Sequence, residues 1–132
     1  MLKVYNAMTA EETKAYQRAD VKGTDLEKYA SLDALGKIRN DVALMKEAGT
    51  VVRGGVQHDA EVTGINLTAK VPEAKLKDCV DLSKYETYDT KAKKVIPLPT
   101  SQPLRYYATA TAQRWDGRWI VTDVDTQGGS KC

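Results

Sequence analysis

The stretch "RYYATATAQRWDGRWIVTDVD" constrains this chain more than any other, because it allows almost one local structure. Two runs rich in β-branched and aromatic residues flank Asp116-Gly117, the pair that best tolerates positive φ at both positions of a two-residue hairpin turn. Such a turn pairs Arg114 with Trp119, Ala112 with Val121, and Ala110 with Asp123. One face then carries Trp119 and Val121 opposite Ala108, Ala110 and Ala112. Three small side chains in a row leave volume to be filled. Either a helix packs down onto them, or a cavity opens there.

The helices come first in the chain. Met1, Tyr5, Met8, Ala15 and Ala19 recur at near-helical spacing and predict a helix over 2–19, broken by Gly23. Thr24 with Glu27 reads as a capping box for a short second helix carrying Leu26 and Tyr29. Ser31 is placed to cap a third, whose Leu32, Leu35, Ile38, Val42 and Met45 step by three and four until Gly49 ends it.

Beyond Gly49 the period becomes two. "TVVRGGVQHDAEVTGINLTAKV" predicts a short strand, a Gly-Gly break and a longer strand. In the longer strand Val56, His58, Ala60 and Val62 share a face until Gly64 permits a bulge. "EAKLKDCVDL" predicts another, with Ala74, Leu76, Asp78, Val80 and Leu82 on one face and Cys79 on the other. "SKYETYDTKAKKVIPLPTSQP" is polar and holds three of the four prolines. It reads as a long exposed connection with a short edge segment at Val95–Leu98. Helices followed by an antiparallel sheet make an α+β fold. The chain reads as one domain, 1–132, with helices over about 2–48, a sheet over about 50–125 and a tail at 126–132.

Charge excludes some partners. The net charge is +2 with both signs interspersed, which argues against nucleic acid as a ligand. No apolar run approaches the ~20 residues that span a bilayer, and the opening residues do not read as a signal peptide. Two distant cysteines and a single histidine do not make a four-ligand zinc site, and no metal or cofactor is implied. The thiols read as a Cys79–Cys132 disulfide in preference to two separate thiols. The bond would close a loop of about 50 residues, contribute on the order of 4 kcal/mol, and belong in an oxidising compartment. "GGS" ahead of Cys132 would supply the slack.

The order of elements, with "GTDLEKYASLDAL", "GTVVRGG", "KDCVDLSKYETYDTKAKKV" and "DGRWIVTDVD" followed by a cysteine, resembles the nuclear-transport-factor-2-like (ketosteroid-isomerase-like, cystatin-like) superfamily. Within it the chain looks like small secreted proteins and lipoproteins of actinobacteria. The resemblance implies N-terminal helices packed in the concave side of one strongly bent antiparallel sheet, a cone. It also implies an oxidised cysteine pair and a location that is secreted or extracytoplasmic, either free or lipid-anchored through a membrane tether in a preceding segment. The expected role is a non-catalytic binding or accessory domain of the cell envelope, for a protein or small-molecule ligand, with pairing of two copies through the sheet face. Two alternatives stand beside it: an enzyme or carrier using the cone pocket, and a scaffold subunit of a conjugation or secretion apparatus.

Candidate chemistry is sparse. His58 is the one side chain that titrates near neutrality unaided, and it serves as an acid/base candidate against the plainer reading of a partly exposed strand histidine. Asp123, placed on the Trp119 face by strict alternation, is the second candidate, against a solvated or ion-paired carboxylate. Asp78 and Asp81 lack calcium-loop spacing and read as structural, pairing with Lys75 or Lys77 or capping a strand end. Tyr85, Tyr88, Tyr106 and Tyr107 with Arg114 and Trp115 could form an aromatic-basic binding surface. Tyr106, Trp115 and Trp119 are its nominated contacts, against ordinary core and edge packing.

Overall fold

The computed structural model describes residues 1–101, 103–126 and 130–132. Helix α1 (Leu2–Arg18) buries Tyr5, Met8 and Ala15 along the expected stripe. It stops at Ala19, whose left-handed φ of 51° lets its N–H return to the Ala15 and Tyr16 carbonyls, so Gly23 lies beyond the break it was expected to make. The short α2 (Leu26–Tyr29) has no capping box, because the Thr24 hydroxyl donates back to the Val21 carbonyl at 2.6 Å and Asp25 takes the cap position. Helix α3 (Leu32–Ala48) begins after Ser31, whose side chain makes no capping hydrogen bond, and ends at Gly49 as expected, with φ 76°. Its buried stripe is Ala34, Ile38 and Val42, and Leu32 is 62% exposed.

The expected single bent sheet is in fact two antiparallel sheets. Strands β1 (Thr50–Gly54), β4 (Tyr85–Asp89) and β5 (Lys94–Ile96) form one, in the order β1-β4-β5. Strands β2 (Gln57–Asn66), β3 (Glu73–Asp81), β6 (Arg105–Trp115) and β7 (Arg118–Asp125) form the other, in the order β2-β3-β6-β7. At Gly54, with φ 71°, a side-chain carbon would meet the Lys84 carbonyl oxygen at 2.0 Å; glycine is what lets the chain leave one sheet for the next. The segment read as an exposed connection supplies β4, which pairs along all of β1. Asp89 then closes the turn into β5 by accepting the Lys91 and Ala92 N–H groups.

The Asp116-Gly117 turn forms with φ of 50° and 80°. Arg114 pairs with Trp119 and Ala112 with Val121, as the turn dictates. The register then slips. Thr111 pairs with Asp123 and Ala110 with Val124, so Thr122 is the extra residue of a β-bulge. A one-residue slip reverses which side chains face the core. Val124 therefore takes the inward position expected of Asp123.

The helices dock where α2 meets α3: the Ser31 N–H donates to the Val121 carbonyl at 2.9 Å, and Ala30 bridges Val121. Around this point Tyr5, Met8, Leu26, Leu76, Ala110, Ala112 and Val121 form the main core. A thinner cluster of Val80, Leu82 and Ala108 lies further along the same sheet. Of the three alanines, two are covered by the main core and the third, Ala108, borders a cavity.

The disulfide is present, with Cys79 and Cys132 joined at a Cα–Cα separation of 6.0 Å. The Tyr107 N–H donates to the Ser130 carbonyl and fastens the tail further. Gly128 and Gly129, expected to give slack, lie outside the described residues.

Candidate functional site

Between α1, α3 and the thinner end of the four-stranded sheet lies a cavity of about 360 Å³. Helix α1 gives it Tyr5, Met8, Thr9, Glu12 and Tyr16, a set spaced as one helical face. Helix α3 gives Ala34, Lys37, Ile38 and Asp41. The strands and their flanks contribute Val56, His58, Val80, Leu82, Tyr85, Tyr106, Ala108 and Val124, with Leu98 closing one side. The wall is apolar with a few convergent polar groups, which is how small-molecule sites are built.

Asp78 organises one side. It is 1% exposed, on the inward face of β3 where its neighbours are Leu76 and Val80. Its Oδ2 accepts the Tyr5 hydroxyl at 2.6 Å and lies 2.6 Å from His58 Nδ1, while Oδ1 accepts the Asp59 N–H at 2.9 Å. Burial alone would raise the Asp78 carboxyl, but the hydrogen bonds from His58, Tyr5 and Asp59 more than offset it and hold the group below its usual range. Burial and the bond to Asp78 in turn push the Tyr5 phenol far above its usual range. With Nδ1 2.6 Å from a carboxylate oxygen, that ring nitrogen carries a proton and donates it to Asp78.

The second polar group crosses between the helices. The Tyr16 hydroxyl donates to Asp41 Oδ2 at 2.8 Å at the cavity mouth. Burial, with the Glu12 and Asp41 charges, drives the Tyr16 phenol upward as well. Glu12 lies between these two pairs and makes no hydrogen bond or ion pair among the described residues. Removal from solvent pushes its carboxyl up to about 7; His58 opposes the rise, and Asp41 and Asp78 add to it.

The sequence candidates fare unequally. His58 lines the cavity, and its partner is Asp78, which had been assigned to Lys75, Lys77 or a strand end. That assignment fails because Asp78 faces inward and the lysines beside it face out. Asp81 does cap a strand end, accepting the Ser83 N–H. Asp123 does not enter the cavity: the bulge turns it outward, where Lys37 Nζ meets its Oδ1 at 3.0 Å. Tyr106 lines the cavity wall. Trp119 packs on the main core, and Trp115 donates its indole N–H to Gln113 near the hairpin turn. The tyrosines do not share one surface, since Tyr107 lies under Lys77 and Tyr88 under Arg53, away from the cavity.

Glu12, Tyr16 and Asp41 were missed. A signal existed: Glu12 stands four residues after Met8 and seven after Tyr5, so a charge interrupts the apolar stripe of α1.

No family model matches the chain, and no curated protein matches it. Among solved structures, the crystal structure of the intermembrane space region of the chloroplast protein ARC6 matches with a TM-score of 0.61 at 12% identity. The match covers 98% of this chain and 93% of that one, so the whole arrangement of helices and sheets is shared. At that identity the likeness is one of fold.

Proposed function

We propose that this chain is an extracytoplasmic domain of the nuclear-transport-factor-2-like kind whose cone holds a small molecule. The observation that carries this is the cavity of about 360 Å³ with buried Asp78 holding His58 and Tyr5 at its wall. A carboxylate buried among aliphatic residues is costly to maintain for packing alone, and convergent polar groups in an apolar hollow orient ligands. The helices-then-sheets order supports the fold family. The Cys79–Cys132 bond, with a similar fold in an intermembrane-space region, supports a location outside a reducing cytoplasm.

The test is a thermal-shift screen of a chemically diverse compound set against the wild type and two variants that fill the hollow, Ala108→Leu and Val56→Phe. Some compounds should stabilise the wild type and neither variant. If no compound shifts the wild type and both variants are simply more stable, the cavity is a packing defect and the proposal fails.

The Asp78–His58 pair with Glu12 across the same space also supports a second reading, proton transfer on the bound molecule. His58→Gln would then abolish turnover of any ligand found while leaving its binding within a few-fold. Unchanged turnover would remove this reading.

A further inference from the structure

Resting on the reading of the cone as a small-molecule site, we infer that its ligand is an organic ammonium ion, a protonated or quaternary amine on an apolar body. The inference follows from which charges along the cavity have partners. Asp78 is satisfied three times over, by Tyr5, His58 and the Asp59 N–H. Asp41 receives the Tyr16 hydroxyl. Lys37, the lysine of the wall, is committed to Asp123 Oδ1 at 3.0 Å and the Val124 carbonyl at 2.6 Å. Glu12 alone faces the hollow with no hydrogen bond or salt bridge among the described residues; His58 offsets part of its charge, and Asp41 and Asp78 add to the negative field. The site has room for a further positive charge.

The aromatic wall fits the same ligand. The rings of Tyr5, Tyr16, Tyr85 and Tyr106 line the cavity, and the negative faces of such rings attract ammonium groups. Elsewhere the protein supplies its own cations to tyrosines: Arg53 stands 4.4 Å from the Tyr88 ring centre and Lys77 Nζ 4.1 Å from that of Tyr107. Among the described residues no Arg or Lys stands over a cavity tyrosine, and the Tyr5 ring meets that of His58 edge-on with centroids 6.2 Å apart. A divalent metal fits less well, since it asks for several oxygens drawn close together. No three His, Cys, Asp or Glu side chains among the described residues are so grouped.

Binding should carry a proton signature. Glu12 is faced by Tyr5 and Tyr16 on its own helix, by Lys37 and Asp41 from α3, by His58 and Asp78 from β2 and β3, and by Tyr85 and Tyr106 from β4 and β6. With the site empty its carboxyl titrates at about 7. A bound cation favours the ionised form, so binding at pH 6 expels a proton, and affinity weakens as pH falls from 8 to 5.

The experiment uses the full chain and three probes of one shape: 2-phenylethylammonium, 2-phenylethanol and phenylacetate. Calorimetry at pH 8 should find the ammonium bound about tenfold or more tighter than the alcohol, a margin one well-placed charge supplies, with phenylacetate weakest. Glu12→Gln should erase that margin, bringing the ammonium down to the affinity of the alcohol. Titration at pH 6 in two buffers of different ionisation enthalpy should show proton release in the wild type alone. Equal affinity for all three probes, or preference for phenylacetate, overturns the inference and leaves the small-molecule reading standing. Binding of none of them also overturns it, and the diverse screen described above then decides the broader reading separately.

Discussion

Along β3, Leu76 and Val80 lie on the same side of the sheet, yet Leu76 belongs to the main core and Val80 borders the cavity. The partner strand β6 repeats the division, with Ala110 and Ala112 covered and Ala108 open. The sheet is the same at both ends. What differs is what the helices bring to it: Leu26 comes down at one end, and the polar Glu12 and Asp41 line the space at the other. Small residues on a sheet thus make room, and the opposing helix decides whether the room is used.

The largest expected effect concerns the bond behind the open end. Cys132→Ser should lose on the order of 4 kcal/mol in denaturant unfolding, since the bond closes a long loop. A loss under about 1 kcal/mol would mean that packing alone holds that end together. Next, Leu76→Ala should cost about 3 kcal/mol, as for large cavities cut into full cores, and Leu82→Ala no more than about half that. Equal losses would erase the distinction between the two ends.

The third test is pH. The Glu12 carboxyl is raised in the folded state from an ordinary 4.5 to about 7, so the folded protein holds a proton that the unfolded chain has released. Stability should therefore fall as pH rises from 4.5 to 7 and then level off. Glu12→Gln should recover about 2 kcal/mol at pH 8, allowing for the residual exposure of the side chain, and nothing at pH 4. A gain independent of pH would point to packing instead of charge. The smallest effect is the sharpest for the comparison: Ala112→Leu should cost about 1.5 kcal/mol by overfilling, and Ala108→Leu close to nothing.

Much of this arrangement can be read before any coordinates. The three helices, the hairpin at Asp116-Gly117, the inward face of β3 and the cysteine pairing follow from period, turn chemistry and residue scarcity. The bulge at Thr122 does not, because nothing in "RWIVTDVD" distinguishes an extra residue from continued alternation. That one residue is why Asp123 was nominated and Val124 overlooked. Strand β4 was lost for another reason. It is polar on both faces and pairs with a strand more than 30 residues earlier, which local composition does not encode. At the site, His58 was legible as a lone histidine on a strand, but its partner lies on a different strand and its neighbours on two helices. Such sites are products of tertiary structure.

The bond between Cys79 and Cys132 also bears on the survival of the protein after damage. The two residues bracket β4 through β7 and the exposed stretch joining β5 to β6, including Leu104. Exposed connections are where proteases cut first. A single cut there would sever the polypeptide without releasing either piece, because the C-terminal fragment stays bound to β3 through sulfur and through the full β3–β6 pairing. The nicked molecule would still run as one species on a gel until a reductant is added, and it would keep its cavity.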